Sequence, residues 1–107
     1  EFFAGTLEKH YRLLLPKFLS TNRCPLPCRS LFASVFVSPT GEVHPCITDD
    51  RIVGRLREQN YSLRKILRST AAERLRHDIA AGNCPHCWTP CEAYPTLIET
   101  MKMSGKP

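Results

Sequence analysis

Cysteine is the residue type in this sequence with the most chemistry to explain, because 6 of the 107 residues are cysteines. They form two close groups with a single residue between them: Cys24 and Cys28, then Cys46, then Cys84, Cys87 and Cys91. Disulfides, zinc sites and iron–sulfur clusters all use cysteines at this density. A secreted disulfide scaffold is usually poorer in helix and more evenly studded with cysteine. The grouping therefore favours a metal centre.

The first two candidate ligands are Cys28 and Cys46, which are separated by twelve residues, Gly41 and four more residues. A β-hairpin between them would bring both thiols to the same end of the hairpin. Taken alone, this pair fits a disulfide or two small buried side chains equally well.

The second two candidate ligands lie in Cys84-Pro85-His86-Cys87, a CxxC turn that can place both thiolates on one metal centre. Taken alone, such a turn also fits a redox motif or a chance occurrence. The two pairs together supply four thiolates from well-separated segments. That set suits a Zn–Cys₄ site and a four-iron cluster alike.

The hairpin that must position the first pair is predicted from local composition. The β-branched and aromatic content of Leu31–Ser38 predicts a strand. Ser38-Pro39-Thr40-Gly41 predicts a turn, because Pro fits its second position and Gly its left-handed one. Glu42–Cys46 then returns as the partner strand. The segment Thr21–Ser30, with two prolines and two cysteines, is predicted to be a loop.

The first helix is predicted from apolar residues at helical spacing between Phe3 and Phe18, with Thr6 as the N-cap. Pro16 should kink this helix or end it near Leu15, since proline has no backbone N–H. The polar segment Thr48–Tyr61 is predicted to be irregular.

Three more helices are predicted in the second half of the chain. Ser62 caps a short one, and Thr70-Ala71-Ala72-Glu73 is a capping box that opens the next, which Gly82 ends. Thr89 is a plausible N-cap for the last helix, which Pro95 should kink or restart.

Charge and composition exclude several classes of function. The net charge is +5. The hydrophobic content of 42% argues against disorder. The basic residues are spaced singly along predicted helices without interleaved aromatic residues, so we expect a solvated face and no nucleic-acid partner. No apolar run is long enough to span a membrane. We find no carboxylate pair, Gly-rich phosphate loop or Ser–His–Asp arrangement.

The segments around these cysteines resemble the twitch and SPASM domains that are appended to radical S-adenosylmethionine enzymes. Those domains share the Cys…Gly-x₄-Cys spacing followed by CxxC, and Gly41–Cys46 is similar to their G-x-V-x-P-C hairpin. Gly54–Glu58 and Ser62–Ser69 are similar to their G-N-L-x-E and S-L-x-E-I-W-x-S stretches, although Arg55 replaces Asn and Leu67 replaces Trp. The resemblance covers residues 23–94.

The sequence departs from a full SPASM domain, which binds two clusters and has further cysteines downstream. This chain has CxxC-x₃-C and no cysteine after Cys91, so its six thiols cannot fill two four-cysteine sites. A single cluster, as in twitch domains, fits the number of cysteines better than two clusters do. The family's CxxxCxxC loop is also missing, because Leu31 stands where the third cysteine after Cys24 and Cys28 belongs. The resemblance therefore implies a non-catalytic fragment that is inactive alone, with S-adenosylmethionine bound only in a separate barrel.

The resemblance implies a small α+β domain with a β-hairpin and several short helices around one [4Fe–4S] cluster. The expected ligands are Cys28, Cys46, Cys84 and Cys87. Cys91 and Cys24 are additional or alternative ligands, and Cys91 is expected to lie close to the cluster. The implied role is electron transfer, substrate positioning or both, and the alternative is a structural zinc-binding interaction module.

Three other residues receive an interpretation. His44 and His86 are either solvent-facing residues, or they donate to a cluster sulfide or replace a ligand. Trp88 is predicted to be apolar cover that keeps water off the cluster. Because the two cysteine-bearing ends should meet only through the metal centre, we expect the metal-free chain to be partly unfolded.

The expected organisation is a linking helix from a missing catalytic barrel at residues 1–22, a cluster-binding domain at 23–103 and a frayed tail at 104–107. Since the chain begins at Glu1 without Met, we expect it to be a piece of a longer protein. The expected partners are the barrel of the same chain and a peptide or small-molecule substrate, with no nucleic acid and no membrane. The expected location is the cytoplasm.

Overall fold

The structure, a computed structural model, describes the backbone of residues 2–103 and the side chains of residues 5–101. Within that range four α-helices and a three-stranded antiparallel sheet form a small α+β domain, as predicted. None of the described helices is long and apolar enough to cross a bilayer. The predicted frayed tail at 104–107 and the side chain of Phe3 lie outside the described residues.

The helices are longer than their prolines suggested. They are α1 (Phe2–Thr21), α2 (Leu63–Leu67), α3 (Thr70–Ala80) and α4 (Pro90–Met103), with a 3₁₀ turn at Leu56–Gln59. The expected end of α1 near Leu15 is wrong, because the helix continues through Pro16. Helix α4 likewise continues through Pro95. Packing of α1 against α4 offsets the hydrogen bond that each proline removes.

The sheet contains β1 (Phe36–Val37), β2 (Glu42–His44) and β3 (Gly54–Arg55), in the order β1-β2-β3. Val43 lies opposite Val37 on one side and Gly54 on the other. The predicted turn between β1 and β2 is confirmed. Gly41 has φ +88° and its N–H donates to the Ser38 carbonyl at 3.0 Å.

The predicted strand over Leu31–Ser38 is wrong in its first half. Leu31 adopts a left-handed conformation with φ +69°, and its N–H donates to the Ser34 carbonyl at 2.7 Å, which closes a turn. Such a conformation costs a leucine about 1–2 kcal/mol. Burial of the Leu31 side chain, together with a 3.0 Å hydrogen bond from Arg76 Nε to its carbonyl, offsets that cost.

Two smaller predictions also need correction. The segment Thr48–Tyr61 is not irregular throughout, because it contains β3 and the 3₁₀ turn. Thr70 is the first residue of α3 and not its cap. The cap is Ser69, whose hydroxyl accepts from the Ala72 N–H at 3.2 Å. The Ser62 cap of α2 is confirmed by a 3.2 Å bond from the Lys65 N–H.

Two hydrophobic cores hold the domain together. The first, which we call the sheet core, consists of Leu31, Val43, Val53, Ile66, Ala72 and Ile79. The second, the helix core, consists of Leu7, Trp88, Ala93 and Leu97. Cys28 and Cys84 pack against the sheet core, whereas Cys87 immediately precedes Trp88 of the helix core. The cysteine-bearing segments are therefore anchored to both cores.

Candidate metal centre

All four predicted ligands, together with Cys24, line one cavity with about 280 Å³ of empty space, part of it open to solvent. The cavity also has polar lining residues, which are Ser30, Thr48, Asp49, His86 and Glu92. A cavity with five thiols from separate segments has the donor chemistry of a thiolate-held metal centre. No disulfide forms among the six cysteines. The residues present therefore fit an iron–sulfur cluster.

The hairpin side of the cavity is fixed by the sheet. Cys46 follows β2 closely and is buried, with 8% of its surface exposed. Buried Ser30 donates its hydroxyl proton to the Pro45 carbonyl, which ties the loop after Cys28 to the end of β2. This bond lets Cys28 and Cys46 line the same cavity although Leu31 turns the chain away from the predicted strand.

The CxxC side of the cavity is fixed by contacts with the Cys24 loop. His86 adopts a left-handed conformation with φ +58°. The Cys24 N–H donates to His86 Nδ1 at 3.2 Å, and the Cys24 thiol donates to the Cys87 carbonyl at 3.3 Å. Because Nδ1 accepts this hydrogen bond, the neutral ring carries its proton on Nε2. In this arrangement His86 can donate a hydrogen bond but has no free lone pair for a metal.

One group of potential metal ligands is already close together. The ligand atoms of Cys24, Cys84 and His86 lie within 4.8 Å of one another, and no other three such residues do so within the described part of the chain. Sequence reasoning missed this group, because Cys24 and His86 are far apart in the chain. A tetrahedral zinc site would hold its sulfurs about 3.8 Å apart. Within the described residues, no three of the four predicted thiols lie within 4.8 Å of one another, so they are not arranged as a closed tetrahedral zinc site.

The profile of an iron–sulfur cluster-binding domain family, SPASM, matches residues 28–88, which is more than half of the chain. The chain belongs to the SPASM family. The matched segment begins at Cys28 and contains Cys46, Cys84 and Cys87, whereas Cys24 and Cys91 lie outside it. No curated protein sequence and no solved structure is significantly similar to the chain.

Burial raises the pKa of three of the five cavity thiols of this SPASM domain, those of Cys24, Cys28 and Cys46. It raises the pKa of Cys28 to about 12 and is also the main cause of the raised pKa values of Cys24 and Cys46. Neighbouring thiolates add to the effect on Cys28 and Cys24. These thiols are therefore protonated at neutral pH, and a metal centre that binds them must displace their protons.

Two carboxylates at the cavity were not predicted as site residues. Asp49 is 5% exposed, and hydrogen bonds from Arg51, the closest at 2.6 Å, lower the pKa of its carboxyl. Glu92 accepts from the Ser34 hydroxyl at 2.9 Å, but burial raises the pKa of its carboxyl. The sequence offered only a weak signal, namely that Asp49 is three residues after Cys46 and that Glu92 immediately follows Cys91.

Three other predicted residues are not among those that line the cavity. Cys91 is exposed on α4, and its expected closeness to the cluster stays a prediction. Trp88 does not cover the cavity. It belongs to the helix core, where its Nε1–H donates to the Tyr11 carbonyl at 3.0 Å. His44 hydrogen-bonds through Nδ1 to the Arg51 carbonyl at 3.0 Å.

Proposed function

We propose that this SPASM domain holds a single [4Fe–4S] cluster through Cys28, Cys46, Cys84 and Cys87. The observation that carries the proposal is that these four thiols come from three separate segments and line one cavity. Cys24 lines the same cavity but directs its thiol proton to a backbone carbonyl. Cys91 is exposed. Neither residue is needed for a four-cysteine site.

When bound, such a cluster supplies one-electron transfer at a potential that its charge, hydrogen bonds and exposure set. The chain contributes four thiolates, two nearby carboxylates and a water-restricting apolar wall that includes Ile79.

We further propose that the domain serves a radical S-adenosylmethionine enzyme in the cytoplasm as an auxiliary-cluster domain. Residues 1–22 would link it to a catalytic barrel, and residues 23–103 would form the cluster-binding unit. Its role would be electron transfer or the positioning of a peptide or small-molecule substrate. The support is the sequence resemblance, together with the packing of α1 on α4, which gives such a linker a firm attachment.

The domain alone should not cleave S-adenosylmethionine. Four protein thiolates leave no iron free for the cofactor's amino and carboxylate groups. Reconstituted protein with dithionite and S-adenosylmethionine should give no more 5′-deoxyadenosine than a cluster-free control. Turnover above that control would contradict the proposed division of labour.

The ligand assignment is tested by single Cys→Ala variants after anaerobic reconstitution. Substitution of Cys28, Cys46, Cys84 or Cys87 should remove most of the cluster absorbance and iron. Cys91→Ala is the matched control and should retain both. Full iron content in Cys46→Ala, or its loss in Cys91→Ala with retention in Cys87→Ala, would contradict the assignment.

A structural zinc module is the second candidate, and the proximity of Cys24, Cys84 and His86 favours it. These residues offer two thiolates and one imidazole, so a closed tetrahedral site would need a fourth ligand. His86 would also have to release Nδ1 from the Cys24 N–H or lose the proton on Nε2. Zinc without labile sulfide in the purified protein, lost in Cys24→Ala, would support this alternative.

A further inference from the structure

Two of the proposed ligands, one from each side of the cavity, are each followed two residues later by a threonine. The sequences are Cys46-Ile47-Thr48 and Cys87-Trp88-Thr89. The Thr48 hydroxyl oxygen lies 3.2 Å from Cys46 Sγ, and the Thr89 hydroxyl oxygen lies 3.9 Å from Cys87 Sγ. The first distance is a close contact for sulfur, and the second is a long one.

The direction of these hydrogen bonds depends on the state of the sulfur. In the metal-free protein either partner can donate. A metal-bound thiolate has lost its proton and can only accept, so the hydroxyl must then be the donor. Hydrogen bonds to charged acceptors are stronger than those between neutral groups. Binding of a cluster would therefore strengthen both contacts.

The local structure directs both hydroxyls to the sulfurs. Thr48 lines the cavity in the loop that follows β2, two residues after Cys46. Thr89 precedes α4, where its carbonyl accepts from the Ala93 N–H at 2.8 Å. A threonine at this position often caps a helix with its hydroxyl. Here the hydroxyl contacts Cys87 Sγ instead.

Ser30 provides an internal comparison, since it follows Cys28 at the same spacing. Its hydroxyl donates to the Pro45 carbonyl and does not contact the sulfur. The spacing alone therefore does not create a hydroxyl–sulfur contact.

We propose that Thr48 and Thr89 tune the reduction potential of the cluster by donating their hydroxyl protons to the Cys46 and Cys87 thiolates. This inference rests on the proposed function, because it requires both cysteines to be ligands. Reduction adds negative charge to the cluster and its thiolates, and a hydrogen-bond donor stabilises that charge. Each hydroxyl therefore raises the potential. Thr48 should have the larger effect because its oxygen is nearer to the sulfur.

The test is a redox titration of the reconstituted chain, monitored by electron paramagnetic resonance, for wild type, Thr48→Val, Thr48→Ser, Thr89→Val and Thr89→Ser. Valine removes the hydroxyl at similar volume, whereas serine keeps it. Thr48→Val should shift the potential in the negative direction by about 59 mV, a tenfold change in the one-electron equilibrium constant. Thr89→Val should shift it less in the same direction, and both serine variants should stay near the wild-type value.

Iron and sulfide content, measured first, separates this inference from the proposed function. Absence of a cluster in the wild type would overturn the proposed function. A loaded cluster whose potential is the same in wild type and in both valine variants would overturn only the role of the threonines. An equal shift in Thr48→Ser and Thr48→Val would also overturn it, since a structural effect would then explain both. If the Thr48→Val protein does not bind a cluster, Thr48→Ala, which leaves more room, takes its place and should show the same negative shift in reduction potential. An unshifted potential in Thr48→Ala would contradict the proposal.

Discussion

The sheet core and the helix core each support one side of the cysteine cavity, but they support it in different ways. On the sheet side, Cys46 follows β2 closely. Strand β2 is held by backbone pairing with β1 and β3 and by the complete burial of Val43. On the helix side, Cys87 lies between two contacts: the Cys24 thiol donates to its carbonyl at 3.3 Å, and the next residue, Trp88, stacks on Tyr11 with ring centroids 6.0 Å apart. The hairpin side is therefore held by paired strands, whereas the CxxC side is held by side-chain packing and a few loop hydrogen bonds.

Several polar contacts join the two sides without a metal. Arg51 donates from Nη2 to the Asn83 carbonyl at 2.9 Å, which connects the loop after β2 to the residue before Cys84. The Arg29 N–H donates to Thr96 Oγ1 at 3.0 Å. The expectation that the two cysteine-bearing ends meet only through the metal centre is therefore wrong. A bound cluster would reinforce a contact that the protein already makes.

Removal of the cluster should have the largest effect and should divide the two sides. Ligand binding contributes directly to the stability of a small metal domain. Amides around Cys84–Ala93 should lose most of their hydrogen-exchange protection, whereas the Val53 N–H, bonded to the Val43 carbonyl at 2.7 Å, should retain much of it. Hydrogen exchange of reconstituted and metal-free protein measures this. Equal loss of hydrogen-exchange protection on the hairpin side and the CxxC side would contradict this difference between them.

Trp88→Ala tests the side-chain packing that supports the CxxC side. Truncation of this buried residue should cost about 3–5 kcal/mol of unfolding free energy and reduce iron retention. Trp88→Phe is the control, because it keeps an aromatic ring. It loses only the hydrogen bond from Nε1 to the Tyr11 carbonyl, which should lower the unfolding free energy by about 1 kcal/mol. Denaturant unfolding of the loaded proteins gives both values. A Trp88→Ala protein as stable as Trp88→Phe would show that packing is not the anchor.

Gly54→Ala tests the sheet side. A Cβ at this position would lie 3.0 Å from Ile66 Cγ2 and 3.1 Å from Ile66 Cγ1, which is too close for an unstrained contact. Overpacking of this kind typically costs about 1–3 kcal/mol. Gly5→Ala in α1 is the matched control, because nothing lies within 4 Å of its added Cβ. We expect that variant to be as stable as wild type or slightly more stable. No loss of stability in Gly54→Ala would mean that the sheet core is loosely packed.

The smallest expected effect concerns pH and the Asp49–Arg51 pair beside the cavity. Hydrogen bonds from Arg51 lower the pKa of Asp49, so the folded chain favours the ionised carboxylate. The resulting stability is fully present above the unfolded pKa of about 3.9 and is lost as the pH falls through the lower folded pKa.

A nuclear magnetic resonance titration of the metal-free chain should therefore place the Asp49 carboxyl midpoint below its ordinary value. Arg51→Gln should return the midpoint toward that value, whereas Arg57→Gln, a substitution outside this pair, should not. Identical midpoints in wild type and Arg51→Gln would show that the pair contributes nothing.

The features that the sequence predicted are those that local chemistry determines. Pro39 and Gly41 specify the hairpin turn within four residues, and the Ser62 cap lies next to the helix that it begins. The spacing of the cysteines, with the family resemblance, indicated which thiols share a cavity. The left-handed turn at Leu31 could not be predicted in this way, because it depends on a hydrogen bond from Arg76, 45 residues away.

The missed parts of the site have the same cause. The contact between Cys24 and His86 joins residues 62 positions apart. The buried carboxylate of Glu92 depends on Ser34, which is 58 positions away. Cys91 has a sequence position as favourable as that of Cys87, and only the packing of α4 places it on the surface. Tertiary packing, which a single sequence does not display, decides these cases.

The central claim is that one four-iron cluster joins the two sides of the cavity. Its most direct test is the iron, labile sulfide and zinc content of anaerobically purified, reconstituted protein. The account predicts about four iron and four sulfide ions per chain, as expected for one [4Fe–4S] cluster held by four cysteines. One zinc ion per chain with no labile sulfide would contradict it.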